Sequence, residues 1–456
     1  MKKRAGNLSA VVFAVAALAL VFALPAHAVN IIESQTPGGK AEAKEAGWQA
    51  GTCSADPCSA ETPGLFFKQA AGHPPKGFTQ IIVRHEPGLL PGSKVPVGNL
   101  KTVLVDLPAG LSVNPEATPQ CQLAPGASPA TCPLNTQVGT SSLSAVNPLT
   151  SAGLPLSAPV FNIAPRPGEP ARFGFSVLGN DIFLNAGIAW ESDYHEYFTI
   201  HATALKLGGE FELARILENR LVFDGTTGQG GAGGAFLTIP STCNDPEVEP
   251  FKRQYTTFLH ADSYEEEAPD NSYDVAAPAP PSQAFVGGSQ AVDSPLPKGA
   301  KPEGCGNVPF APTTSAEPGT NLTDSPSGAT VNVKVPFAPA ADVYNSNVRV
   351  ARVTLPKGMG VNPSAAPGLH ICKDSEFNKG ERKPIACPAD SKIGTVAIDT
   401  PPLPDGTLTG NVYLGQQQSR DPESGDTFRI LLAAESAARG ISVRLVGNVI
   451  ANRQTG

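Results

Sequence analysis

From Ala329 to Val335 apolar and polar residues alternate, with Val331, Val333 and Val335 on one side and Asn332 and Lys334 on the other. A period of two is the mark of a strand with one buried face. Phe78 to Glu86 alternates in the same way, and further strands are predicted at 100–107 and 348–355, each stopped by Leu-Pro-x-Gly. Proline there withholds a ladder donor and glycine permits the turn. Later strands are predicted at 159–163, 172–178, 183–190 and 197–205, and again at 411–414, 427–433 and 441–450. Turn formers fill the intervals, as in Pro165 to Glu169 and Asp421 to Asp426. One stretch is ambiguous. Leu213, Leu217 and Leu221 recur at helical spacing, but alternate positions of 210–221 also suit a strand, and the surrounding strands favour that reading.

The pattern occurs twice. Leu107-Pro-Ala-Gly-Leu-Ser-Val-Asn-Pro115 returns as Leu355-Pro-Lys-Gly-Met-Gly-Val-Asn-Pro363, and Cys132-Pro-Leu-Asn-Thr-Gln-Val-Gly-Thr140 returns as Cys387-Pro-Ala-Asp-Ser-Lys-Ile-Gly-Thr395. The recurring piece is domain-sized, unlike the short repeat of a solenoid. Short strands at this spacing predict an all-β chain of tandem antiparallel β-sandwich modules, immunoglobulin-like, joined by a Pro/Gly-rich connector. The expected divisions are an N-terminal segment at 29–75, a first module at 76–243, an acidic and Pro/Ser/Gly-rich connector at 244–326, and a second module at 327–456. The second module has no counterpart of the stretch from Ala235 to Cys243, so it is expected to be incomplete at its C-terminus.

The eight cysteines change the picture. Cys53 and Cys58, Cys121 and Cys132, and Cys372 and Cys387 form local couples, leaving Cys243 and Cys305 near the ends of the connector. An even count in an exported chain argues for disulfides. Cys121 and Cys372 are equivalent in the repeat, as are Cys132 and Cys387, so these couples are expected to close equivalent loops, each adding about 3 kcal/mol. The partners of Cys243 and Cys305 are left open by spacing, although a bond between them would staple the connector to the first module. Zinc is disfavoured because no couple has CxxC spacing and no histidine completes a ligand set.

Export itself is read from residues 1–28. Lys2, Lys3 and Arg4 precede an apolar stretch from Ala10 to Leu24, and Ala26-His27-Ala28 supplies a cleavage site. Loss of these three cations takes the formal net charge of −8 to −11. An acidic chain without a basic stripe disfavours nucleic acid. After cleavage no stretch approaches the roughly 20 apolar residues that span a bilayer. The expected location is secreted or associated with the cell envelope.

Chemistry is sparse. His195, Tyr197, Thr199 and His201 share one face of a predicted strand, but the two histidines stand about 20 Å apart along it. A solvent-facing strand is the expected reading, and His73 in Gly-His-Pro-Pro is read as a turn residue. Asp421, Glu423 and Asp426 surround a Ser-Gly turn and are the calcium candidates, although Glu169 alone stands at the matching turn of the first module. Glu265 to Glu267, with Asp270 and Asp274, reads as a hydrated linker. Neither Gly-x-Ser-x-Gly, HExxH nor a phosphate loop is present, and no cofactor is expected.

Lys68-Gln-Ala-Ala-Gly-His-Pro-Pro75, the two copies of each repeated motif, Phe236-Leu-Thr-Ile-Pro-Ser-Thr-Cys243 and Gly304-Cys-Gly-Asn-Val-Pro-Phe310 resemble phrases of a group of large secreted repeat proteins of soil actinobacteria. The resemblance covers most of the mature chain. It implies an extracellular or envelope location and several copies of one unit, and it carries no established activity. The expected function is therefore a non-catalytic secreted or surface protein, a spacer or an adhesive or ligand-binding one, with a cell-envelope glycan or an extracellular protein as partner. The alternative is a secreted hydrolase, with polysaccharide as the candidate substrate, whose carboxylate pair is not recognisable in sequence.

Overall fold

A computed structural model describes residues 47–58, 62–147, 150–201, 205–206, 212–225, 234–245, 255–264, 290–294, 301–355 and 370–450. The predicted signal at 1–28, the second signature at 356–363, the acidic run from Glu265 to Asp274 and the end of the chain from 451 lie outside the described residues.

The chain is all-β, with a single four-residue helical turn at Asp374–Phe377 among the described residues. Its first strands are β1 (Trp48–Cys53), β2 (Lys76–Ile82), β3 (His85–Pro87), β4 (Lys94–Pro96), β5 (Leu100–Asp106) and β6 (Ser112–Val113). A run of hairpins follows in β7 (Gln137–Val146), β8 (Gly153–Ile163), β9 (Arg172–Val177), β10 (Asn180–Ile188) and β11 (Glu196–His201). Then come β12 (Leu205–Lys206), β13 (Glu212–Asp224), β14 (Leu237–Thr238), β15 (Thr257–Ser263) and β16 (Gln290–Ser294). The ambiguous stretch is thus strand over its described part, from Glu212 to Leu221.

These strands do not form two facing sheets. Twelve of them make one antiparallel sheet in the order β1-β2-β13-β7-β8-β9-β10-β11-β5-β15-β16, with β12 beside β13. The sheet curls back on itself. Trp48 of β1 donates its indole N–H to the carbonyl of Thr257 in β15, at the far end of the order, over 3.3 Å. The inner face therefore shares one core, in which Val83, Val138, Val160, Phe173, Phe236 and Leu259 are fully enclosed. Two corrections follow. The span 244–326 is not simply a connector, because β15 pairs with β5 and β16 with β15. Likewise β1, from the segment N-terminal to the first module, forms one margin of the sheet.

The second half of the chain contains β17 (Thr313–Pro318), β18 (Ala329–Lys334), β19 (Lys392–Ile398), β20 (Leu408–Gly415), β21 (Phe428–Ser436) and β22 (Ile441–Val449). β17 and β18 form an exposed hairpin. The strand expected at 348–355 is absent, and those residues run as solvent-exposed irregular chain. Among the described residues no strand pairs with this stretch, and the apolar pattern alone does not hold it extended.

The meander β19-β20-β21-β22 matches β7-β8-β9-β10 in detail. Each first strand carries an irregularity at the same place, between Gln137 and Gly139 and between Lys392 and Gly394. Cys121 N–H donates to Asn162 O while Ala164 N–H donates to Cys121 O; Cys372 and Gln416 repeat the arrangement around Leu414. Thr136 Oγ1 donates to Pro133 O at 2.7 Å and Ser391 Oγ to Pro388 O at 2.6 Å. Buried Arg172 faces Asn185 across one hairpin and buried Arg429 faces Asn448 across the other. Disulfides join Cys121 to Cys132 and Cys372 to Cys387, and also Cys53 to Cys58 and Cys243 to Cys305.

Candidate functional site

A cavity of about 110 Å³, partly open to solvent, lies against the inner face of the large sheet. Alternation positions its walls. On β11, Phe198 and Ile200 face in, and Val105 of β5 and Leu184 of β10 meet them. Leu221 and Phe223 of β13 and Thr79 of β2 form the adjoining wall. The first signature adds Leu107, Pro108, Leu111 and Val113, and its β6 is zipped to β14, whose Leu237 also lines the space. Phe66 and Phe67 come from the loop next to the Cys53–Cys58 bridge. The Cys243–Cys305 bridge joins the segment ending in Ile239 and Pro240 to the one carrying Pro302.

Among the described residues no charged side chain lines this cavity. Its polar groups are the hydroxyls of Thr52, Thr79, Thr257 and Tyr255 and stretches of backbone. The Tyr255 hydroxyl is already engaged, donating to Thr242 O at 2.8 Å and accepting from Asn244 N–H at 3.0 Å. Such a lining suits apolar groups better than charged ones.

Glu196 begins the same inward row of β11. Its carboxylate accepts from Val113 N–H at 3.0 Å and from the Ser112 hydroxyl at 3.2 Å, holding the signature loop to the sheet. Burial pushes its pKa up to about 7 against the opposing effect of those two hydrogen bonds.

The outward row differs from its sequence reading. Tyr197 and Thr199 are buried, so the face carrying His195 and His201 is not solvent-facing. His195 Nε2 lies 2.6 Å from Asp106 and its Nδ1 bonds Asp193. Burial opposes the imidazolium, but the hydrogen bonds and charges of Asp106 and Asp193 outweigh it and raise the pKa to about 10. The same contact lowers that of Asp193. His201 is remote from this pair and lies 3.4 Å from Thr102 Oγ1. The three side chains form a partly buried ion cluster.

Chain from the second half covers that face. Arg382 reaches Glu191 at 2.9 Å and donates to Ile188 O at 2.7 Å. The guanidinium groups of Arg382 and Arg444 lie 5.3 and 4.7 Å from the Trp190 ring centre, close enough for cation–π attraction. Tyr194 OH accepts from Arg444 N–H at 3.0 Å, and Gly168 N–H donates to Ala438 O at 2.9 Å.

The other predicted residues are placed as follows. His73 Nδ1 meets Leu237 O and Thr238 Oγ1, its ring packs 4.0 Å from that of Tyr344, and burial lowers its pKa. Asp421 caps a short turn, accepting from Glu423 N–H at 3.1 Å, while Asp426 N–H donates to Ser424 Oγ. Among the described residues no group of three or more His, Cys, Asp or Glu gathers around a common ion position. Glu169 is enclosed and accepts from Arg166 N–H at 2.9 Å. The cavity was missed in the sequence because its walls come from strands far apart in the chain; the one available signal was the apolar character of Leu107, Leu111 and Val113 in the first signature. Comparison with family models, with curated proteins and with solved structures finds no match to this chain.

Proposed function

We propose that the chain is a secreted, non-catalytic ligand-binding protein built from two copies of one disulfide-bearing β unit, with its binding site in the first. Four disulfides in an all-β fold fit an extracellular protein. The observation that carries the ligand-binding reading is the apolar cavity, whose lining among the described residues contains no charged side chain. Duplication is supported by the matched register, irregularity and disulfide of the two meanders. The hydrolase alternative gains nothing from the cavity, because a glycosidase needs two facing carboxylates.

The test is thermal denaturation of the full chain with toluene and 1-octanol in parallel. A ligand that binds only the folded state raises the melting temperature with the logarithm of its concentration. At least one of the two should do so, and Thr79→Phe, which takes up part of the cavity, should weaken the rise. No shift with either compound would sink the reading.

A further inference from the structure

We infer that the cavity takes the end of one unbranched alkyl chain and leaves the head group of the molecule outside. This rests on the ligand-binding reading above and names the ligand class.

Size is the first argument. At about 110 Å³ the space is smaller than the roughly 150 Å³ engineered cavity that accepts benzene, and well below the roughly 300 Å³ at which pockets for whole drug-sized ligands begin. A ligand of ordinary size must leave most of itself in solvent. A polymethylene chain is narrow and enters such a space one methylene at a time.

The lining is the second. No charged side chain lies inside, and the Tyr255 hydroxyl is committed to Thr242 and Asn244, so a polar head drawn inward would lose its water without adequate replacement.

The third argument is where polarity resumes. Phe67 and Pro302 line the cavity, and the residues that follow each of them, Lys68 and Glu303, form an ion pair of 3.3 Å at the surface. Their side chains are 37% and 56% exposed, which puts water one residue beyond the apolar wall. The segment bearing Pro302 is fastened there by the Cys243–Cys305 bridge and by backbone bonds from Ala70 N–H to Glu303 O and from Glu303 N–H to Lys68 O. Apolar interior against charged rim is the arrangement that suits an amphiphile.

The experiment is calorimetric titration of the full chain with 1-alkanols from butanol to dodecanol, with the alkanoates of equal chain length, and with toluene. Affinity should strengthen about fourfold per added methylene and then become independent of length once the cavity is full. Alkanols and alkanoates should show the same slope, because the head stays outside. Thr79→Phe should bring the plateau to a shorter chain, and Val113→Phe, on a different element, provides the same measurement if that variant does not fold. Binding of toluene without chain-length dependence among the alkanols would overturn the alkyl inference while leaving the ligand-binding reading intact. So would a slope with no plateau, which marks adsorption to a surface, or binding of alkanols but not alkanoates, which places the head inside. Binding of none of the compounds would overturn both.

Discussion

Glu196 and His195 are neighbours on β11 that point to opposite faces, and their titrations act on stability with the same sign. Glu196 has an ordinary value of 4.5 that burial raises to about 7. The folded state therefore holds this proton more tightly than the unfolded chain, and the associated stability is complete below 4.5 and lost as pH rises through 7. His195, raised from 6.5 to about 10, contributes below 6.5 and loses its contribution as pH rises through 10. Glu196→Gln keeps the acceptor for Val113 N–H and removes the charge. Relative to the parent it should be more stable by about 3 kcal/mol at pH 8, with the gap closing as pH falls toward 4, measured by denaturant unfolding across that range. A gap independent of pH would show that Glu196 is not the titrating group. At this scale sequence was a poor guide. The two residues read as members of a plain strand, since the partners that shift them, Asp106, Ser112 and Val113, lie more than eighty residues away.

At the scale of elements the two meanders share a backbone plan but differ in what covers them. Val138 is fully enclosed, because β7 lies between β13 and β8. Its counterpart Ile393 is 44% exposed, since β19 stands at the margin of its sheet. Val105 and Val353 differ in the same sense, the former in the core and the latter exposed. Thus Val138→Thr should destabilise by about 1 to 3 kcal/mol through a buried hydroxyl, while Ile393→Thr should stay within about 0.5 kcal/mol. Urea titration of both variants measures the contrast, and equal losses would mean that β19 is covered in solution. The last three strands of each meander were legible in the sequence, because hairpins depend on local alternation and turn residues such as Pro165 and Asp421, whereas β7 and β19 went unread. The failed strand at 348–355 carries the same alternation as β5 but pairs with no strand among the described residues.

The whole molecule is held together by more than its connecting chain. Trp190 lies beside Arg382 and Arg444, and Arg382 also closes on Glu191, so the second meander sits against the outer face of the first sheet. Trp190→Ala removes the ring that both cations use. Small-angle scattering of that variant should show a larger radius of gyration than the parent, and calorimetry should split one melting transition into two; an unchanged profile would mean that the interface does not hold the halves in place. The chain by itself determined its all-β character, the turns of its hairpins, the duplicated motifs and the three local cysteine couples, because each depends on residues near one another in sequence. Tertiary structure decided which strands are neighbours: β13 inserts between β2 and β7, and β15 pairs with β5 across 150 residues of chain. Those distant pairings curl twelve strands around one core, turn Leu107, Phe198, Leu221 and Pro302 toward a common space, and bury His195 between two aspartates. Alternation fixes which side of a strand is apolar, but only the assembled sheet determines what that side meets.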